Sequence, residues 1–417
     1  MHLNRVLVRL ALALLPAAAL ADEWPAWRGP TGQGISREKD LPLHWGPERN
    51  VKWKRPLPAP GNSTPIVWKG KVFITQASER GRNRATLCVD RRNGEVLWTR
   101  VVAYEAREPT HKTNPYCSAS PVTDGERVIV FHGSAGVHCY DLDGEEIWRR
   151  DLGKFDHIWG NASSPVIRGD LCLLNCGPGP RTFLLAVDKR TGKERWKVDI
   201  PGGSAGKSGR ESWTGSWSTP VVVLEGGRDV ALLSYPGRLR VFEVATGKEL
   251  WSCGGLGKLV YTSPLHAEGV VVAMSGFMGP PLAVKTGGSG DVTGTHRLWR
   301  FDRAPQRIGS GVVSEGHIYI VNDTGVAECI ELKTGKGVWK ERLGGRSWSS
   351  VVLAGDRLYT ADQAGNFFVL RAAPRYEKLA RNRLGETTRA SIAVSDGELF
   401  IRTYKHLWCI AEKKTGP

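Results

Sequence analysis

The stretch VDKRTGKERW, Val187 to Trp196, decides how the rest of the chain is read. It holds a strand end, a Thr-Gly turn and a tryptophan four residues past the glycine. Glycine supplies the left-handed backbone that such a turn needs, and the aspartate before it can accept hydrogen bonds from the turn amides. Variants follow as VDRRNGEVLW (Val89 to Trp98), YDLDGEEIW (Tyr140 to Trp148), EVATGKELW (Glu243 to Trp251) and ELKTGKGVW (Glu331 to Trp339). One phrase returning at a near-constant spacing marks a structural repeat.

The trailing aromatic recurs at Trp53, Trp98, Trp148, Trp196, Trp251, Trp299 and Trp339, 40 to 55 residues apart, and its slot falls next near Leu379. Each unit also has a recognisable opening, at Pro65, Pro121, Pro165, Pro220 and Pro264, then in register at Gly311, Ser350 and Ser391. Both counts give eight. Within a unit, STPIVWKGKVFITQ, TLCVD and VLWTR supply four strand-like pieces, joined by the Lys69-Gly70-Lys71 and Arg92-Asn93-Gly94 turns. Four antiparallel strands make a blade, and a ring of blades hides the edges that a lone blade exposes. The last unit, SIAVSDGELFIRTYKHLWCIA, ends without an outer strand, and VKWKRPL around Trp53 can supply it. The expected fold is therefore all-β, an eight-bladed β-propeller of four-stranded antiparallel blades, closed by an N-terminal strand joining the last blade. The alternative of two β-sandwiches lacks a linker between Trp196 and Pro220 rich enough to divide domains.

The N-terminus reads as an export signal over residues 1–21. Arg5 and Arg9 precede an apolar run that ends in Ala19-Leu20-Ala21, and no cysteine follows to take a lipid anchor. The domain plan is then an N-terminal extension over 22–50, the propeller over 51–412 and a tail over 413–417. No apolar segment is long enough to span a membrane. Such a chain is expected to be a monomer, periplasmic or secreted, and away from nucleic acid. Its formal charge is +16, of which the leader's Arg5 and Arg9 carry two. The excess suits an anionic envelope partner or simply a basic surface, since the charges are scattered.

Eight cysteines in an exported chain would ordinarily suggest disulfides. Their register argues for free thiols. Cys88, Cys139, Cys329 and Cys409 occupy one slot before the repeated turn, which Ala186 fills in VDKRTGKERW, so the slot is small and buried. Cys172 and Cys176 stand four apart on one strand, too far to bridge.

The Ala/Cys-x-Asp-x-x-Thr-Gly-Lys-x-x-Trp phrase resembles the repeat of pyrroloquinoline quinone (PQQ) propellers, in which each tryptophan docks on the neighbouring blade. WPAWRGPTGQGIS from Trp24, NPYCSASPVTDGERV from Asn114 and GGSGDVTGTHRLWR from Gly287 are similar to exported bacterial PQQ-binding-like propellers, a group that includes BamB-like and quinoprotein dehydrogenase-like members. The resemblance implies the fold, and Trp53, Trp98, Trp148, Trp196, Trp251, Trp299 and Trp339 as structural docking residues. It implies PQQ with calcium only for the enzymatic branch. That branch's adjacent-cysteine pair is missing, and neither its Asp base nor its calcium carboxylate can be placed by a matching motif, so no catalytic residue is carried over.

Other chemistry is equally unsupported. PGGSAGKSGRE (Pro201 to Glu211) imitates a phosphate loop but has proline where glycine is needed and no following helix. The histidines show no metal-binding spacing, and no metal site is expected. Asp291 reads as a turn cap. What remains are loops entering the innermost strands, all on one face. They carry His111, Tyr116, His157, Trp159, Arg210, Trp213, Trp217, Tyr261, Arg307, Trp348 and Arg389, the candidate ligand-binding set. Their tryptophans fall outside the docking register, and aromatic faces beside Arg and His suit a peptide, a sugar or a flat anion. Packing over the channel mouth is the bland alternative. The expected function is a non-catalytic binding or assembly module for an envelope protein, peptide or glycan. The alternatives are a PQQ-dependent dehydrogenase of alcohols or sugars and a glycan-binding propeller.

Overall fold

A computed structural model describes residues 23–412; the export-signal segment and the tail lie outside the described residues. Among the described residues eight small sheets are arranged as an eight-bladed β-propeller, beside one two-stranded parallel pair of Gly215–Ser216 with Leu259–Val260. Blades 1 to 8 begin with the inner strands Ile66–Trp68, Val122–Thr123, Val166–Arg168, Val221–Glu225, Leu265–Ala267, Val312–Ser314, Val352–Ala354 and Ala393–Ser395. In each blade the four main strands pair antiparallel, from inner to outer in chain order except in blade 8, and a short parallel strand adds to the edges of blades 4 and 7. Blade 8 takes its outer strand from the other end of the chain: Val51–Pro56 pairs with His406–Ala411, Trp53 opposite Cys409. The closure is reinforced by Glu398 of blade 8, which pairs with Arg91 of blade 1 at 2.7 Å and with Lys52 of the closing strand. Among the described residues no helix is long and apolar enough to cross a membrane.

The repeated phrase has a local and a long-range part. In every blade a bulge falls between the third and fourth strands beside the Cys/Ala slot, as between Cys88 and Val89 or Ala186 and Val187. A bulge adds twist. The indole N–H of Trp53 donates to Arg91 O at 2.7 Å, Trp98 to Leu142 O and Trp148 to Lys189 O at 3.0 Å, Trp196 to Val244 O and Trp299 to Leu332 O at 2.9 Å, and Trp339 to Ala373 O at 3.0 Å. Each acceptor belongs to the next blade. In five of these pairs the ring lies on the turn glycine; a Cβ on Gly192 would fall 2.5 Å from Trp148, and its φ of +68° already requires glycine. Trp251 is the exception, donating to Glu225 Oε1, because blade 5 replaces the short turn with a loop whose Gly290–Asp291 pairs alongside Trp251 and Ser252.

A second device closes the ring at its centre. The residue preceding each inner strand's first apolar positions is Ser or Thr, and its hydroxyl accepts the backbone N–H of its counterpart one blade earlier. Thr64 N–H donates to Ser120, Ser120 to Ser164, Ser164 to Thr219, Thr219 to Ser263, Ser263 to Ser310, Ser310 to Ser350, Ser350 to Ser391, and Ser391 back to Thr64, all within 2.8–3.1 Å. This circle corrects the sequence register. Ser350 and Ser391 are counterparts of Ser310 and Thr64, one residue before the Pro65 position, which is occupied by Val351 and Ile392. The tryptophan slot of blade 7 holds Ala380, opposite Val369, and not Leu379. Trp45 of the extension packs in the same cluster, on Tyr359 and Phe367.

The extension crosses the end of the channel away from the inner-strand starts. Trp24 bridges Val67 of blade 1, Pro25 O accepts Thr123 N–H of blade 2, and Ile35–Ser36 runs parallel to Val352–Ala354 of blade 7. Arg28 is fully buried beneath the centre and donates to the carbonyls of Ser310, Val351, Gln33 and Gly311. All eight cysteines are buried and free.

Candidate functional site

The strand order sends every loop that enters an inner strand to one face, and these loops surround a cavity of about 430 Å3. Its floor is built by the hydroxyl circle, through Thr64, Ser164, Thr219, Ser350 and Ser391, and by Trp27, which rises from the extension below. The wall over blades 3 to 5 is aromatic. Trp159 meets Trp213 edge-on at 4.7 Å and Trp217 at 5.9 Å, and Trp217 meets Tyr261 at 5.3 Å. Phe277 completes it and is 44% exposed at the rim. The facing wall, over blades 6 to 8 and 1, carries Arg346, Trp348, Arg389 and His111.

The loops are held rigidly. Asn114 donates to Trp159 O at 2.9 Å and Asn161 O at 2.8 Å, joining the loops that enter blades 2 and 3, and Trp217 donates to Gly160 O at 2.8 Å. The loop entering blade 2 is also pinned by the buried Arg84–Glu108 pair at 2.8 Å, with the Arg84 guanidinium between Tyr104 and Tyr116. Arg389 stacks on Trp348 at 4.7 Å and on Tyr404 at 5.4 Å. Burial pushes the His111 imidazole below its ordinary value, and Lys112 and Arg389 push it further, so this wall is electropositive without needing a charged histidine.

Seven of the eleven candidates from the sequence meet in this cavity: His111, Trp159, Trp213, Trp217, Tyr261, Trp348 and Arg389. Tyr116 lies behind it, over Gly81 and Arg84. His157 is 1% exposed beneath Trp159 and Trp217, and burial lowers its pKa to about 4, so it is a neutral packing group. Arg210 sits over Trp213. Arg307 is buried against Glu328 and faces a separate cavity of about 200 Å3 between blades 5 and 6. Sequence reasoning missed Trp27, Asn62, Phe277, Gln306, Arg346 and the hydroxyl circle. The Ser/Thr-Pro dipeptides at five unit openings were the visible signal for the circle, and Trp24 and Trp27 stood outside the docking register.

The family model described as outer membrane protein assembly factor BamB matches residues 49–175, 83–206, 181–287 and 290–374, overlapping segments that span most of the propeller. The chain belongs to that BamB family. No individual protein of curated function matches it by sequence. Among solved structures, BamB from Moraxella catarrhalis superposes on the BamB-family chain with a TM-score of 0.61 at 14% identity, covering 87% of this chain and 97% of that one. Quinohemoprotein alcohol dehydrogenase from Comamonas testosteroni gives 0.69 at 12% identity, covering 95% and 82%. A computationally designed protein, Ika8, gives 0.58 at 12% identity, covering 87% and 100%. At these identities the likeness is one of fold.

The dehydrogenase neighbour raises the question whether the cavity suits PQQ with calcium. Calcium takes six to eight oxygen ligands, carboxylates prominent among them. Among the described residues no Asp or Glu lines this cavity. The adjacent Asp323 accepts the Trp348 indole N–H at 2.6 Å, and Asp362 is spent on the Ala364, Asn366 and Gly345 amides. Among the described residues no cluster of three metal-ligating side chains occurs. The donor set does not fit a quinone-bound calcium ion, and no chemical step is derived through it.

Proposed function

We propose that this BamB-family chain is an exported, non-catalytic binding or assembly module of the cell envelope that receives its partner in the loop-face cavity. The observation that carries the reading is the cavity's lining: an aromatic wall, a cationic wall and a hydroxyl floor, without a carboxylate to act as base or metal ligand. Rigid loops favour the same role, because a preformed site loses little entropy on binding. The family description, assembly factor of outer membrane protein, supports an envelope location and a protein partner, and the cavity's aromatic and cationic walls suit a peptide or a glycan as well.

The experiment is calorimetric titration of the purified chain with PQQ and calcium, followed by dye reduction over alcohols and sugars. No calcium-dependent binding and no substrate-dependent reduction are expected. Saturable binding with reduction would make the chain a quinoprotein dehydrogenase and overturn the proposal.

A further inference from the structure

Arg389 is a half-buried cation without a carboxylate partner, and unlike Arg28, Arg55 and Arg402, which also donate only to neutral groups, it lines the cavity. Its hydrogen bonds run only to neutral groups, to Gln363 Oε1 at 3.1 Å, Thr113 O at 3.5 Å and Tyr404 OH, and among the described residues no carboxylate pairs with it. Arg84, Arg91 and Arg307 each face a buried glutamate. A guanidinium held against two aromatic rings is pre-organised, and its Nη2, which none of these bonds uses, is left to donate to a carboxylate. Its neighbour in the cavity, Asn62, leaves Oδ1 without a partner.

The opposite wall and the floor define the rest of the ligand. The rings of Trp159 and Trp213 are half-buried and meet edge-to-face, which leaves ring surface on which an apolar face can stack. The floor hydroxyls of Thr64, Ser350 and Ser391 each accept a backbone N–H and retain their own O–H for donation. An extended peptide gains affinity from main-chain bonds to a free strand edge. Here the N–H groups at all eight inner-strand starts are spent on the hydroxyl circle, so the floor offers no such edge. Sugar rings need no strand edge: they stack through their C–H faces and exchange hydrogen bonds with hydroxyl and amide groups.

We propose that the cavity binds an acidic saccharide, with a uronate carboxylate on Arg389 and a sugar ring against the Trp159–Trp213 wall. This rests on the reading of the cavity as a binding site and names its ligand class. The test is calorimetric titration of the purified chain with tri-galacturonic acid, its methyl ester and cellotriose. The acid is expected to bind, and the ester and cellotriose to bind about tenfold more weakly, the scale of a lost charged hydrogen bond. Arg389→Gln is expected to erase the preference for acid over ester while melting with the wild type, and Trp159→Ala to weaken both. The acid–ester comparison needs no variant, so it stands even if Arg389→Gln fails to fold. Equal affinity for acid and ester overturns the Arg389 assignment. Failure of all three saccharides, with an acetylated Glu-Phe peptide bound instead, overturns the saccharide and leaves the binding module intact. Failure of every probe, together with no adduct from a photo-crosslinking amino acid placed at Phe277 on the cavity rim, overturns both.

Discussion

The single slot that accepts Cys, Ala or Val shows how a residue choice follows from packing. Cys88, Cys139, Cys329 and Cys409 face the docked tryptophan across the bulge, as Ala186, Val241 and Ala283 do in three other blades, while Val369 of blade 7 faces Ala380. Burial pushes the Cys88 and Cys139 thiols up to about 12 and Cys329 up to about 11, so at neutral pH they are not nucleophiles. Ellman's reagent is therefore expected to find no reactive thiol in the native chain and all eight after denaturation. Asp291 gives a pH effect of defined sign. The Thr293 hydroxyl and amide, with Arg238, hold its carboxyl down at about 2 against an ordinary 3.8, so its stabilisation is complete above 3.8 and is lost as the pH falls through about 2. Melting curves of wild type and Asp291→Asn should differ at pH 5 and converge near pH 2. The thiol slot was legible because Cys or Ala fills it at a fixed register in six of the eight blades. Arg28 was not, since one arginine in a glycine-rich stretch has no period and gives no sign that four carbonyls will surround it.

At the scale of the blade, two interblade fasteners act at different radii. The outer one is the indole on the glycine turn. Gly192→Ala places a Cβ against Trp148 at a left-handed position, and Trp148→Ala empties the contact. The second change should cost about 3–5 kcal/mol in denaturant melts, the range for a buried aromatic cut to alanine. The inner fastener is the hydroxyl circle. Ser164→Ala leaves the buried Ser120 N–H unpaired and should cost about 1–3 kcal/mol, whereas Ser164→Thr should be tolerated, since Thr64 and Thr219 already serve in the circle. The outer fastener was plain in the sequence because its tryptophan, glycine and turn recur together. The inner one was half-visible: the proline that follows the hydroxyl marked five openings, and where it is replaced by Gly311, Val351 and Ile392 the register slipped by one residue in the last two blades.

For the whole molecule, two segments that precede the first inner strand complete the architecture. Val51–Pro56 closes the ring, which the unfinished last unit foretold. The preceding extension does what no repeat could announce: it runs under the channel, buries Arg28 and raises Trp27 as the floor of the cavity. Arg28→Met should cost on the order of 3 kcal/mol by stranding buried carbonyls, read as a lower melting temperature. Loop residues that converge from different blades, such as Arg346 and Phe277, share no motif, because only ring closure brings them together. The central claim is that this cavity is where the molecule meets its partner. The most direct measurement places a photo-crosslinking amino acid at Phe277, on the cavity rim and 44% exposed, and in a second protein at Leu224, 64% exposed at the far end of the blade 4 inner strand. Adducts with envelope material at position 277 alone, lost on Trp159→Ala, are the expected result. Adducts equal at both positions, or absent at 277, would contradict it.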